Sequence, residues 1–191
     1  MPGTKTSRHS LHEALSAILD LLERRRIPYM IMGGLALSVW GRVRVTQDVD
    51  LNLSLDEREE ARFLNDLRQA HFLPASPRAI VGHRLLVCRY LKSTKGLPVQ
   101  VDLFLARGAY QRQALRRAPV IPLGHRRLRI IAPEDLILYK WLADRPIDHL
   151  DVQAILEEQA GRLDLRYVTR WARQLGVSKH LRAIRGRSGS S

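Results

Sequence analysis

Three aspartates in this 191-residue chain stand where acids are costly unless they do something. Asp48 and Asp50 occur in "QDVDLNL", and Asp102 in "VQVDLFL". Each lies in a short apolar run whose alternation reads as a β-strand. At i and i+2 on an extended segment, Asp48 and Asp50 point to the same side. Val99, Val101, Leu103 and Leu105 form one apolar face of the later run, so Asp102 projects from the other. Alone, an Asp-x-Asp reads equally as two solvated acids at a strand end. If the two strands are sheet neighbours, three carboxylates share a polar face. Hard oxygen donors held that close suit Mg²⁺, an ion that keeps waters and binds substrate phosphates. Two such ions could bridge the phosphates of a nucleotide, one holding the triphosphate and the other activating a hydroxyl, with Asp102 available to accept its proton. Gly33-Gly34, fifteen residues ahead of the Asp-x-Asp, joins an apolar strand to a short helix; such a pair brings backbone N–H groups close to a phosphate, and it also serves as an ordinary tight turn.

The elements that must position these residues can be read along the chain. Leu11, Leu15, Ile18, Leu19 and Leu22 fall at helical spacing, predicting an amphipathic helix over 10–26 that ends at Pro28. "IPYMIM" reads as a strand, "GLALSVW" as a short helix and "VDLNLS" as a strand. Ser54 with Glu57 has the form of a capping box, predicting a helix over 55–70. "HRLLVCRYL" and "LPVQVDLFLA", linked by "KSTKG", read as a hairpin. A basic helix over 109–118, a strand "RRLRII", and helices over 133–143, 147–160 and 165–175 follow, the first of them opened by Pro133-Glu134-Asp135. The expected fold class is α+β: a mixed β-sheet flanked by helices over 10–131, then a C-terminal helical segment over 132–185. Residues 1–9 and 186–191 are expected to be disordered.

Composition narrows the classes. Hydrophobic residues make up 45% of the chain, enough for a core. No apolar run approaches the ~20 residues of a membrane span, "MPGTKTSRHS" lacks the apolar centre of a signal peptide, and the single cysteine, Cys88, excludes an intrachain disulfide. A cytoplasmic protein with no membrane partner is expected, with Cys88 buried. Net charge is +13, of which residues 106–191 carry +9; this favours a polyanionic partner such as nucleic acid, or else reflects an arginine-rich solvated surface. The seven histidines (9, 12, 71, 83, 125, 149 and 180) show no zinc-ligand spacing, so no zinc site is expected. Trp40, Trp141 and Trp171 are expected in the core.

"GGLALSVWGRVRVTQDVDL" resembles the first motif of the AbiEii-type toxin nucleotidyltransferases, within the polymerase-β-like nucleotidyltransferase superfamily. The motif joins Gly33, Gly34, Arg44, Thr46, Asp48 and Asp50. "VDLFLA" resembles the later strand that supplies the third acid, Asp102. "APEDLILYKWLADRPIDHLDVQAIL" is similar to a third element carrying Lys140, Arg145, Asp148 and Asp151. The resemblance spans about residues 31–156. It implies Asp48, Asp50 and Asp102 as metal-binding catalytic acids, two Mg²⁺ ions, an NTP donor (ATP among them) and departure of pyrophosphate. Gly33, Gly34, Arg44, Thr46 and Lys140 are implied nucleotide contacts. Each keeps a second reading: Lys140 as a lysine snorkelling from an amphipathic helix, Arg44 as partner of an acid, and Asp148 and Asp151 as acids that order the second helix against Arg145. Gly34 departs from the Gly-Ser of many superfamily members, and the chain is shorter than full-length AbiEii-type toxins. The expected function is transfer of an NMP to a hydroxyl, with an RNA or tRNA end as acceptor, by a toxin with a cognate antitoxin. Protein AMPylation, modification of a small alcohol such as an aminoglycoside, and a non-catalytic nucleotide- or RNA-binding module are the alternatives. No Walker-type or kinase-type lysine loop is present.

Overall fold

The computed structural model describes residues 3–77, 79–81, 85–123 and 126–185. Helix α1 (Gly3–Arg24) buries Ala14, Ile18, Leu19, Leu21 and Leu22 as the spacing predicted. It begins seven residues ahead of the expected start: residues 4–9, expected to be disordered, contain no Gly or Pro to break the helix. The expected C-terminal disorder over 186–191 lies outside the described residues. Strand β1 (Tyr29–Ile31), helix α2 (Gly33–Trp40) and strand β2 (Asp48–Leu53) follow, then α3 (Glu57–Gln69). The capping box of α3 is built by Asp56 and Glu59 rather than Ser54 and Glu57. Ser54 is unavailable because its N–H still donates to Pro28, extending the β1–β2 pairing by one rung.

Strands β3 (Phe72–Pro74) and β4 (Ala79–Val81), which alternation did not disclose, precede the expected hairpin of β5 (Leu85–Lys92) and β6 (Val99–Leu105). The sheet runs β1-β2-β6-β5-β3, with β4 also on β5. It is mixed: β2 and β6 are parallel, whereas β1–β2, β5–β6, β3–β5 and β4–β5 are antiparallel. Helix α4 (Ala109–Arg117) leads to a separate two-stranded sheet of β7 (Val120–Leu123) and β8 (Arg126–Arg129).

Helices α5 (Pro133–Ala143), α6 (Pro146–Glu158) and α7 (Leu165–Gln174), a 3₁₀ turn (Ser178–Leu181) and α8 (Arg182–Arg185) complete the chain. One hydrophobic cluster runs from Ile18 and Leu51 through Val101 and Leu103 to Leu136, Ile137, Ile155 and Val168, so the helical segment shares the core of the sheet. Trp40 donates to the Ile131 carbonyl and accepts Gln159 on its own carbonyl, which fixes α2 against the α5–α6 layer. Cys88, Trp40, Trp141 and Trp171 pack in or against this core. Among the described residues no helix is long and apolar enough to cross a membrane.

Candidate active site

The parallel pairing of β2 and β6 sets Asp50 directly opposite Asp102, and Asp48 opposite Gln100. Alternation then works as expected. Val49, Leu51, Leu53, Val101, Leu103 and Leu105 are buried in the core, and the acids stand on the other face, lining a cleft of about 330 Å³. On the far side of β6, Arg89 of β5 pairs opposite Asp102. Its guanidinium holds the Asp102 carboxylate bidentately, at 2.9 and 2.8 Å, and Gln100 adds a third hydrogen bond at 3.2 Å. The rung Asp50–Asp102–Arg89 thus crosses three strands.

The acids are crowded. Burial pushes the Asp50 carboxyl up to about 7, with the neighbouring charges of Asp48 and Asp102 adding to the rise and those of Lys140 and Arg145 opposing it. Thr46 donates to Asp48 at 2.6 Å and fixes its orientation.

The glycine pair has a steric reason. Gly33 sits at φ +59°, and a Cβ there would lie 1.8 Å from Asp50 Oδ2. A Cβ on Gly34 would meet Thr46 at 2.7 Å. The departure from Gly-Ser is therefore matched by Thr46, which fills the space a side chain at 34 would need. Helix α2 starts here with Met32 as an N-cap that makes no side-chain bond, so its first N–H groups are left for a ligand at the cleft.

The facing wall comes from α5 and α6: Leu136, Tyr139, Lys140, Arg145 and Asp148. Lys140 is buried and donates to Asp148 at 2.9 Å and Asp151 at 2.6 Å. It is therefore not a snorkelling lysine; its ammonium is committed to two carboxylates, with one of three protons left. Arg145 donates to Asp148 at 2.7 Å. Burial favours a protonated Asp148, but the hydrogen bonds from Arg145 and Lys140 outweigh it and hold the carboxyl below its ordinary range. Asp148 and Asp151 thus order α6 against Arg145 and Lys140. Arg44 pairs with Asp151 at 3.7 Å and also lines the cleft.

Of the residues singled out in the sequence, Gly33, Gly34, Arg44, Asp48, Asp50, Asp102 and Lys140 line the cleft, and Thr46 stands behind Asp48. Arg89, Gln100 and Tyr139 were not foreseen. Arg89 interrupts the apolar run "LLVCRYL", a visible signal, yet its facing depends on a register that the sequence does not carry. As a donor set the three aspartates fit Mg²⁺: oxygen ligands on one face, with a mutual repulsion that a cation relieves. Their oxygens do not all lie within 4.8 Å of one another. Among the described residues, the His/Cys/Asp/Glu group whose ligand atoms all lie within 4.8 Å of one another is Asp144, His149 and His180 instead.

No protein-family model matches this chain, and no curated protein matches its sequence. Solved structures do resemble it. An antigenic nucleotidyltransferase-like protein from Paracoccidioides brasiliensis aligns over 92% of this chain and 93% of its own, with TM-score 0.56 and 19% identity. The lincosamide antibiotic adenylyltransferase LnuA, solved with lincomycin, aligns over 75% of this chain and 94% of its own, with TM-score 0.52 and 17% identity. ANT(2'')-Ia, solved with adenylyl-2''-tobramycin, aligns over 86% and 95%, again with TM-score 0.52 and 17% identity. The mixed sheet with helices packed on it is a fold that this chain shares with these nucleotidyltransferase-like structures.

Proposed function

We propose that this protein is a Mg²⁺-dependent nucleotidyltransferase that moves an NMP from an NTP to a hydroxyl, with an RNA end as acceptor. One observation carries the reading: Asp48, Asp50 and Asp102 share one face of the sheet, beside the uncapped start of α2. The first N–H groups of α2 hold the triphosphate, assisted by Arg44 and the remaining proton of Lys140. Asp48, Asp50 and Asp102 would hold the metal. When bound, Mg²⁺ offsets the charge that builds up on the reacting phosphate and its leaving group. Thr46 keeps Asp48 turned toward the cleft. The acceptor oxygen bonds to the α-phosphorus, the bond to pyrophosphate breaks, and Asp102 takes the hydroxyl proton. Arg89 must give up part of its hold on Asp102 for this, and Gln100 remains to orient the carboxylate.

RNA as acceptor is supported by the charge of +13 and by Arg166, Arg170 and Arg173, exposed at i, i+4 and i+7 on α7. An RNA end blocked by an added nucleotide would stop translation, the act of an AbiEii-type toxin restrained by an antitoxin. A small alcohol is the second reading. Asp48, Asp50, Asp102 and Asp148 line the cleft beside Arg44, Arg89, Lys140 and Arg145, so its charge favours neither acceptor; what supports this reading is the fold, shared with a lincosamide adenylyltransferase and with ANT(2'')-Ia, solved with an adenylylated tobramycin.

Label transfer tests the proposal. The protein is incubated with each α-³²P-labelled NTP, Mg²⁺, total RNA, a cell lysate and a panel of aminoglycosides and lincosamides. Label that is sensitive to RNase and absent with Asp48→Ala supports the RNA reading. Protease-sensitive label indicates AMPylation, and label migrating with a small molecule supports the second reading. No transfer to any acceptor, with NTP still bound, refutes the enzyme and leaves a binding module.

A further inference from the structure

Away from the cleft, the corner between α5 and α6 brings together two imidazoles and a carboxylate. Asp144 ends α5 in the left-handed conformation, φ 51°. His149 lies one turn into α6, and His180 belongs to the 3₁₀ turn. The Nε2 atoms of both imidazoles lie near the same carboxylate oxygen, Asp144 Oδ1, at 3.0 Å from His149 and 3.3 Å from His180. The other oxygen, Oδ2, accepts from Lys179 at 2.6 Å. The His180 side chain is only 10% exposed. Its ring stacks on Trp141 with centroids 5.8 Å apart and planes 17° apart, which fixes its direction. Its Nε2 is buried and has no hydrogen-bond partner, in spite of the nearby oxygen. A buried ring nitrogen that lies beside a carboxylate oxygen and a second imidazole, yet bonds to neither, is costly unless a cation sits among them.

We propose that Asp144, His149 and His180 form a zinc site. Two imidazole nitrogens and one monodentate carboxylate oxygen are a zinc donor set, and ligands about 2.0–2.2 Å from the ion stand roughly 3.3 Å apart along the edges of a tetrahedron. The two observed separations, 3.0 and 3.3 Å, are of that size. Lys179 holds the free carboxylate oxygen and orients the ligand from outside, as partners of ligating carboxylates do. Nitrogen ligands disfavour Mg²⁺ and Ca²⁺, so the site is chemically distinct from the aspartate cleft. Three protein ligands leave the fourth position for water, reached past His149, whose side chain is about half exposed. The ion ties the C-terminal 3₁₀ turn to the corner next to Arg145, which lines the cleft. Spacing along the chain hides the site: Asp144 and His149 are five residues apart, and His180 lies thirty-one further on.

The test uses the full chain stripped of metal with a chelator, then titrated with Co²⁺ and with Zn²⁺. The expected result is one ion per chain, the visible absorption of tetrahedral Co²⁺ lost on adding Zn²⁺, and a melting temperature raised by about 5–10 °C when zinc is a hundredfold above its dissociation constant. His149→Ala and Asp144→Asn should each weaken binding by about 100-fold or more, beyond what loss of an outer partner costs. Both variants are expected to fold, since His149 is exposed and Asn tolerates the left-handed backbone at 144. Asp48→Ala and His71→Ala should bind zinc like the parent. Absence of saturable Co²⁺ and Zn²⁺ binding overturns the proposal. So does tetrahedral binding that survives His149→Ala, or that disappears in Asp48→Ala. None of these readouts involves a nucleotide, so their outcome is separate from that of the proposed transferase activity.

Discussion

At the scale of the residue, Asp50 is where the cleft's conflicting demands meet. Gly33 packs so closely that no other residue would fit beside it, and Asp48 and Asp102 crowd it with like charge. Its carboxyl is pushed from an ordinary 3.8 up to about 7. Between those values the native chain holds a proton that the unfolded chain has lost, so stability falls as pH rises through about 7, by on the order of 4 kcal/mol at most. Asp50→Asn mimics the protonated form. Its melting temperature should match the parent near pH 4 and exceed it by several degrees at pH 8 in the absence of divalent ions. Parallel melting curves across that range would show that Asp50 is not crowded. For catalysis the same residue is indispensable: Asp48→Ala, Asp50→Ala and Asp102→Asn are each expected to reduce NMP transfer by about 10³-fold or more while circular dichroism keeps the folded signature of the parent. Full transfer in any one of them removes that acid from the proposed site. These acids were legible because local alternation fixes which way a strand residue points. Arg89, Gln100 and Asp144 were not, because their roles follow from strand register or from a corner between helices, which no local pattern encodes.

At the scale of the element, α5 and α6 behave as one unit. Nearly every residue of α5 is buried, including Glu134, Asp135 and Lys140, and each of those charges has a partner. Arg117 reaches both Glu134 and Asp135 at 3.1 Å, Tyr167 donates to Asp135 at 2.7 Å, and Asp148 and Asp151 take Lys140. Asp148→Ala removes one of the two carboxylates on buried Lys140 and leaves it Asp151, so the expected loss in urea denaturation is on the order of 2 kcal/mol, less than the ~3–5 kcal/mol of a buried pair broken outright. Arg145→Ala should lose much less, since that side chain is 65% exposed. Equal losses would mean that Lys140 does not depend on Asp148. The start of α5 was readable from Pro133-Glu134-Asp135. The α3 boundary was misread because "SLDEREE" offers two capping boxes, and only a long-range bond from Ser54 to Pro28 decides between them. Strands β3, β4 and β7 are three or four residues long, too short to show an alternation.

For the whole molecule, the excess charge is the property that reaches furthest. If RNA lies along α7, its affinity should fall steeply with salt, and Arg166→Gln/Arg170→Gln/Arg173→Gln should flatten the slope of log affinity against log salt by about 2 in fluorescence anisotropy. An unchanged slope would put the RNA elsewhere. The two halves of the acid cluster are 52 residues apart in the chain and meet through a parallel pairing. Sliding β6 by one residue against β2 would turn Asp102 into the core and Leu103 into the cleft. A deletion or insertion of one residue inside either strand therefore abolishes the site outright. Within the 45 residues between the strands, β5 is held to the same count because it brings Arg89 to Asp102. The exposed turn between β5 and β6 is not, because doubling a connection costs only about 0.6 kcal/mol in closure entropy. The fold thus separates what must be counted residue by residue from what can be rewritten in length, and it is in that turn that this protein can gain or lose surface without disturbing its chemistry.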